Sequence, residues 1–244
     1  MRTHSALADS LQLATSRAAT WLRGAQPPRV AATPPALPLI LYEFEACPYC
    51  QRVRAALEAL GLEAEIRPCP KGGTRFRPEV IARGGKAQFP YLVDPNQSRA
   101  LYESSDIVSY LYAQYAPAAP RPHTTPALAG SLASLLRGAR GARVAPSREP
   151  LEVLILVGAE SNPEARLVRE LLCELELRHL SRRGDPNGSP RLEDPSASAN
   201  AVGWRAIRAL LRAYAFPEEK LAPRSRPNRR RLKFAGTGRG LETG

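Results

Sequence analysis

The sequence predicts an α/β protein made of two tandem copies of one unit, of which the second is incomplete. In the first half, short aliphatic and aromatic runs typical of strands alternate with longer stretches that carry apolar residues at helical spacing. Two segments of that half recur along the chain at an offset of 114 to 115 residues. A chain of 244 residues with 43% hydrophobic content can fill two small cores.

The first copy occupies residues 38–116 and has the predicted order β-α-β-α-β-β-α. The run LILYEF predicts its first strand, and Val53, Ala56, Leu57 and Leu60 mark one face of the helix that follows. A strand, a helix and a second strand predict a parallel pair with a right-handed crossover, and the sequence DPNQSRA predicts an antiparallel hairpin. The elements are expected at 39–44 (strand), 49–60 (helix), 64–67 (strand), 78–83 (short helix), 91–93 (strand), 100–102 (strand) and 104–115 (helix). One mixed sheet covered by helices follows.

The repeat consists of two pairs of similar segments. They are WLRGAQPPRV at 21–30 with LLRGARGARV at 135–144, and ACPYCQRVRAALEALGL at 46–62 with SNPEARLVRELLCELEL at 161–177. We interpret them as a tandem duplication, with an Ala/Pro/Arg-rich linker at 117–150 and a degenerate second copy at 151–216.

Residues 1–37 form an amphipathic extension before the first copy. Taken alone they resemble an organelle transit peptide, because they carry Arg, Ser and Ala with almost no acid; that interpretation would place the protein in a plastid or mitochondrion. A removable signal has no reason to recur in mid-chain. We therefore prefer a structural or membrane-surface helix before each copy, with weak membrane-surface contact.

Composition favours a reducing, cytoplasmic compartment, since there are four cysteines, no secretory signal and no long apolar run. The formal net charge is +12, but only RSRPNRRRLK at 224–233 is a dense basic run. It lacks interleaved aromatic residues and any recognisable reading motif. We expect no specific nucleic-acid partner and a disordered basic tail at 217–244.

Cys47 and Cys50 lie on the predicted turn between the first strand and the first helix. A structural zinc site usually needs four ligands, and the remaining Cys and His residues are scattered, so we expect no metal. A helix N-terminus stabilises a thiolate, and Pro48 suits the first helical position. Cys47 is therefore the predicted nucleophile and Cys50, one turn later, the resolving thiol. The alternative is that two small, easily buried residues merely begin a helix.

Three motifs in order resemble one family: CPYC after the first strand, GGKAQFPYLVD at 84–94 and YESSDIVSYL at 102–111. The first copy resembles the glutaredoxin-like N-terminal domain of glutathione S-transferases, which has the thioredoxin-like fold. The whole arrangement looks like bacterial and plastid proteins that carry two such N-terminal domains in tandem. The resemblance implies glutathione as co-substrate.

The resemblance also implies roles for individual residues in the first copy. Pro90 would be a cis-proline facing Cys47, and the backbone of Phe89 would pair with the cysteinyl part of glutathione. Tyr49, within the CPYC turn, would belong to the same site. Lys86 would meet the glycyl carboxylate, although an exposed lysine is more often plain surface.

At the start of the last helix, the resemblance implies that Glu103 meets the γ-glutamyl ammonium and Ser104 holds its carboxylate. Ser104 is equally an ordinary N-cap that needs no ligand. The transferases bind their electrophile on an all-helical domain, and we expect no such run of helices after Tyr115. Disulfide exchange is therefore better supported than conjugation.

The second copy carries Asn162 and Ala165 in place of the two cysteines, so it cannot run a dithiol cycle. Beyond Gly188 two alignments stay open. In the first, GSPRLEDP matches QFPYLVDP at an offset of 100, which makes Pro190 a second cis-proline and leaves the copy 15 residues short around the second helix; in the second, GSP matches the earlier loop GGT and the sheet is incomplete. We expect a less stable, poorly packed half, through divergence or through a shift of reading frame after Ser189.

The leading hypothesis is a glutathione-dependent thiol–disulfide oxidoreductase or transferase-like enzyme. Its substrate would be a disulfide, a glutathionylated protein or a small molecule. Two alternatives are a non-catalytic thioredoxin-like interaction module and a glutathione-dependent isomerase at a membrane surface, the latter suggested by a similar CPxC-containing prostaglandin synthase.

Overall fold

The computed structural model describes residues 6–23, 26–120 and 127–216. The helices in this part of the chain are α1 (Ala6–Arg23), α2 (Pro48–Leu60), α3 (Arg77–Gly84), α4 (Ser104–Tyr115), α5 (Ala127–Leu136), α6 (Pro163–Glu174) and α7 (Trp204–Leu211). The strands are β1 (Leu39–Glu43), β2 (Ala64–Pro68), β3 (Tyr91–Asp94), β4 (Arg99–Tyr102), β5 (Leu154–Val157), β6 (His179–Arg182), β7 (Arg191–Asp194) and β8 (Ala199–Val202). The predicted basic tail, residues 217–244, lies outside the described residues.

The first half has the predicted mixed α/β fold, with every expected element present within two residues of its expected bounds. β1 pairs in parallel with β2 and antiparallel with β3, which pairs antiparallel with β4. One core lies between the sheet and the helices α2 and α4, with Leu41, Val53 and Ile107 fully buried. The β1–α2–β2 unit fixes where the CPYC turn emerges from the sheet.

The second half repeats this pairing. β5 pairs in parallel with β6 and antiparallel with β7, and β7 pairs antiparallel with β8. Its own core includes Leu156, Val168 and Ile207, all less than 2% exposed. The expectation of an incomplete sheet and a poorly packed half is therefore wrong for the described residues. The counterpart of α3 is what this half lacks, because a loop joins β6 directly to β7.

The strand register supports the alignment at an offset of 100. Asp94 ends β3 and accepts a hydrogen bond from the Tyr115 hydroxyl, while Asp194 ends β7 and accepts one from Tyr214. This recurrence argues against a shifted reading frame through residue 216. The predicted second cis-proline is wrong, since in the described part of the chain Phe89–Pro90 is the cis peptide bond and Ser189–Pro190 is not. The duplication itself stays an interpretation.

The two halves join edge to edge in one eight-stranded sheet of order β4-β3-β1-β2-β6-β5-β7-β8. β2 and β6 pair antiparallel at the centre, where Glu65 lies opposite Leu180. Those two residues are equivalent in the 115-residue repeat, so the seam has a local two-fold relation.

The helices that precede the two halves cross over. α1 packs against α6 of the second half, α5 packs against α2 of the first half, and α1 and α5 pack against each other. A helix before each copy was expected, but this exchange was not.

Among the described residues, no helix is both long and apolar enough to cross a membrane.

Candidate active site

The CPYC turn follows β1 directly and begins α2. Cys47 is the N-cap residue, with extended backbone (φ −80°, ψ 118°), and its Sγ accepts a hydrogen bond from the Cys50 amide at 3.3 Å. Pro48 takes the first helical position, where a missing N–H removes no helical hydrogen bond. The cysteine sulfur thus takes the capping role that Ser or Asp takes elsewhere, at the positive end of the helix.

The two thiols have opposite electrostatic surroundings. The pKa of Cys47 is lowered, first by a hydrogen bond from the Cys50 side chain and then by the backbone amides of Cys50 and Tyr49, although burial and the nearby Glu43 oppose this. Burial raises the pKa of Cys50 well above its ordinary value. Of the two thiols, Cys47 is therefore the one that ionises more readily, and Cys50 is the one that keeps its proton.

Access to Cys47 is narrow, because its side chain is 5% exposed and Cys50 is fully buried. α5 packs against α2 here, and the Ser134 hydroxyl donates to the Ala46 carbonyl at 2.8 Å, one residue before Cys47. The linker helix is therefore part of the wall around the CPYC turn. This contact was not predicted from the sequence.

Phe89 and the cis-proline Pro90 lie beside the end of β1. The β1–β3 register places Tyr91 opposite Tyr42, so the chain just before β3 runs next to the chain just after β1. The Phe44 and Phe89 rings meet edge to face, with centroids 6.2 Å apart. Within the described residues the Phe89 amide and carbonyl make no backbone hydrogen bond, which leaves them available to an extended ligand.

Glu103 and Ser104 meet this loop at the start of α4. Glu103 is exposed with φ +64°, and its carboxylate accepts a hydrogen bond from Gln88 Nε2, one residue before Phe89. The expectation that Ser104 is the N-cap is wrong, because the helix begins at Ser104 and Glu103 precedes it. The Ser104 side chain is buried and makes no hydrogen bond within the described part of the chain. Sequence reasoning missed Gln88.

Lys86 is exposed and is held by Tyr102. Its ammonium lies 4.7 Å from the Tyr102 ring centroid, and its carbonyl accepts from the Tyr102 hydroxyl at 2.8 Å. Gly84 allows this contact, since a Cβ there would lie 2.1 Å from the Tyr102 oxygen. These contacts bring the Lys86 loop and the start of α4 together.

Tyr49 is half exposed on the first turn of α2, and the Arg52 guanidinium lies 5.6 Å from its ring centroid. Nothing in the described chain ties Tyr49 to the Glu103 side of the site.

A buried charge cluster lies behind the CPYC turn and was not predicted. Its members are Glu43, Glu45 and Arg54 of the first half and Glu160 and Arg169 of the second, each at most 5% exposed. Arg54 and Arg169 are equivalent in the repeat, as are Glu45 and Glu160. Recurrence of the charged pair at the repeat offset was the signal that could have located it.

No group of three or more His, Cys, Asp or Glu side chains in the described residues is arranged to hold a metal ion. Cys173 is buried on α6 and its thiol donates to the Gly141 carbonyl at 3.0 Å, so it serves packing.

Comparison with family models gives one match, to a single domain. Residues 41–121 match the glutathione S-transferase N-terminal domain. This match, together with the strand order of the first half, supports a thioredoxin-like domain of this type at residues 41–121.

Two further comparisons add little. No curated protein matches the chain. A solved structure of a Nilaparvata lugens delta-class glutathione transferase is 28% identical over 32% of this chain and 36% of that one, with a TM-score of 0.27. The aligned stretch spans about a third of the length of that transferase.

Proposed function

We propose that the protein is a glutathione-dependent thiol–disulfide oxidoreductase that works through Cys47. The observation that carries the proposal is the contrast between two thiols in one turn. Cys47 lies at a helix N-terminus and has a lowered pKa, whereas the pKa of the buried Cys50 is raised, so that Cys50 keeps its proton. A transferase-type N-terminal domain at residues 41–121 supports glutathione as the co-substrate.

The reaction needs no group beyond the thiols and the substrate. The Cys47 thiolate attacks one sulfur of a mixed disulfide between glutathione and a substrate thiol, the S–S bond breaks, and the substrate leaves as a thiolate that takes up a proton. Cys47 then carries glutathione. A second glutathione thiolate attacks this new disulfide and releases oxidised glutathione, which restores the Cys47 thiolate.

Recognition of glutathione is proposed at the loop and helix start beside Cys47. The free backbone groups of Phe89 before Pro90 suit the cysteinyl unit, and the exposed Glu103 carboxylate suits the γ-glutamyl ammonium. Ser104 offers an unpaired hydroxyl at the N-terminus of α4 for the neighbouring carboxylate. Lys86 supplies a cation for the glycyl carboxylate.

Glutathione-dependent reduction of the mixed disulfide of glutathione and cysteine by the purified chain tests the proposal. Oxidised glutathione is followed through NADPH consumption by glutathione reductase. We expect a rate that rises with protein concentration, and its loss after alkylation of the protein with iodoacetamide. A rate no higher than the uncatalysed exchange would refute the enzyme and favour the interaction module.

Recognition is tested by Glu103→Gln, which removes the charge that would meet the ligand ammonium. We expect glutathione binding to weaken by about 1 to 3 kcal/mol, the range for losing a charged partner. Calorimetric titration of glutathione into chains that also carry Cys47→Ser measures binding without chemistry. Glu63→Gln is the control, because Glu63 is an exposed acid paired with Arg182 outside the loop. Equal affinities in the two variants would show that Glu103 does not contact the ligand.

A further inference from the structure

α1 is oriented with its apolar side toward solvent. Leu7, Leu11 and Trp21 are 81%, 65% and 81% exposed, and Leu22 is 37% exposed. On a helix these positions fall within one stripe about 100° wide, which in a soluble protein normally faces the core. An apolar stripe left outside indicates a surface to be covered.

The polar side of α1 faces the protein instead. Asp9 is buried and pairs with Arg208 of α7, where Nη2 lies 3.0 Å from Oδ2. The Ser16 hydroxyl donates to the Pro163 carbonyl at 2.8 Å, and Arg137 donates to the Gln12 carbonyl at 3.0 Å. These specific polar contacts fix the rotation of the helix, so the outward stripe is a consequence of its packing.

α5 extends the same surface. It lies beside α1, and both helices rest on the layer formed by α2 and α6, so their outward sides share one side of the molecule. Three leucines of α5 are also exposed: Leu132 at 51%, Leu135 at 76% and Leu136 at 45%. The outer apolar face, as we call it, consists of Leu7, Leu11, Trp21, Leu22, Leu132, Leu135 and Leu136.

The charge around the outer apolar face is mainly positive, although Glu174 of α6 lies near Leu11 and Leu136. Asp9 is the sole acidic residue in 1–37, where it is turned inward, and 117–148 contains no acidic residue. Arg17 of α1 and Arg140 and Arg143 after α5 are exposed. A second copy of a chain of net charge +12 would bring two such cationic rims together, whereas an anionic surface is complementary to them.

We propose that the outer apolar face docks the protein on the surface of an anionic lipid bilayer. α1 and α5 lie in the plane of the headgroups, with the leucines entering the acyl boundary, Trp21 at the interface and the arginines against lipid phosphates. The docking is peripheral and is independent of the chemistry proposed for Cys47.

Flotation of the full chain with vesicles of phosphatidylcholine, with or without 30% phosphatidylserine, tests the docking. We expect binding to the anionic vesicles and a blue shift of Trp21 fluorescence, isolated in a Trp204→Phe background. Leu11→Glu and Leu135→Glu should each reduce the binding constant about tenfold or more, since each removes a leucine from the acyl region. Leu151→Glu, at a leucine that is 90% exposed in the loop before β5 and is not part of the outer apolar face, is the matched control and should bind as wild type.

Two results would overturn the docking. Undiminished binding of both leucine variants would assign the vesicle contact to the basic run at 224–233, which all variants retain. Sedimentation that shows a dimer, dissociated by Leu11→Glu or Leu135→Glu, would assign the face to a second copy. Circular dichroism and thermal unfolding confirm that each variant is folded before it is scored.

Discussion

Replacement of Arg54 by Met should lower the free energy of unfolding by about 3 to 5 kcal/mol, the usual cost of removing one partner from a buried ionic group. Arg54 is 5% exposed and is the one side chain that contacts all three carboxylates of the buried cluster. Its guanidinium pairs with Glu43 and lies 2.9 Å from a Glu45 carboxylate oxygen. It also lies 3.1 Å from a carboxylate oxygen of Glu160, which is across the seam in the second half. Met fills similar volume but removes a positive charge from beside those three carboxylates.

The loss should depend on pH. Without Arg54 the buried carboxylates hold their protons more tightly in the folded state than in the unfolded chain, so the variant loses stability as pH rises. The difference from wild type should therefore be larger at pH 8 than at pH 5. Urea unfolding followed by circular dichroism at both pH values measures it. Arg182→Met, which removes an exposed pair with Glu63, should cost no more than about 1 kcal/mol.

Glu43 gives an internal check on the same cluster. Burial raises its pKa from 4.5 to about 7, so the folded state binds a proton that the unfolded chain has released. A group whose folded pKa is raised stabilises the fold fully below its unfolded pKa, and that stability is lost as pH rises toward 7. Glu43→Gln should remove this loss, on the order of 3 kcal/mol between pH 4.5 and 7. An unchanged pH profile in Glu43→Gln would show that the cluster ionises differently.

The cluster also connects the two halves at the seam. Glu45 and Arg54 of the first half form pairs with Arg169 and Glu160 of the second, about the same local two-fold relation as the β2–β6 pairing. In the first half alone, Arg54 would keep Glu43 and Glu45 but lose Glu160, and Glu45 would lose Arg169. The second half, which carries no cysteine pair, thus has a structural role at the seam.

The first half was predictable because its signals are local. Apolar periodicity, Pro48 at a helix start and the DPNQSRA hairpin each act over a few residues, and α4 begins and ends at the predicted residues. The CPYC turn lies between β1 and α2, as predicted, for the same reason. The Ser104 cap was misassigned because the chain turns one residue earlier, with Glu103 at positive φ.

The second half was misjudged because its last strands, β7 and β8, show little period-two alternation of apolar and polar residues. β7 reads RLED, and its single fully buried apolar side chain, Leu192, gives little period-two signal. Its pairing with β5 supplies the missing stability, and that is a long-range contact. The direction of the α1 stripe also depended on distant partners, since Asp9 pairs with Arg208 almost two hundred residues later.

The largest effect on activity is expected from Cys47→Ser, which should reduce glutathione-dependent disulfide reduction at least about a thousandfold because no other side chain can make the first attack. Cys69 and Cys173 are buried with raised pKa values and cannot substitute for it. Cys69→Ser is the control and should retain activity if the fold is intact. Equal activity of Cys47→Ser and wild type would move the chemistry away from this turn.

The roles of the two thiols are distinguished by comparing Cys50→Ser with Cys50→Ala. The Cys50 side chain is the largest contributor to the lowered pKa of Cys47, through the hydrogen bond that it donates. Serine keeps a donor at that place, so Cys50→Ser should retain most of the activity, with glutathione resolving the Cys47 adduct. Alanine removes the donor, so the Cys47 pKa should rise and the rate near pH 7 should fall. Iodoacetamide labelling of Cys47 across pH measures the shift of its pKa directly. An equal labelling midpoint in Cys50→Ala and Cys50→Ser would show that the Cys50 hydrogen bond does not determine the Cys47 pKa. Equal loss of turnover in both variants would indicate an obligatory dithiol cycle.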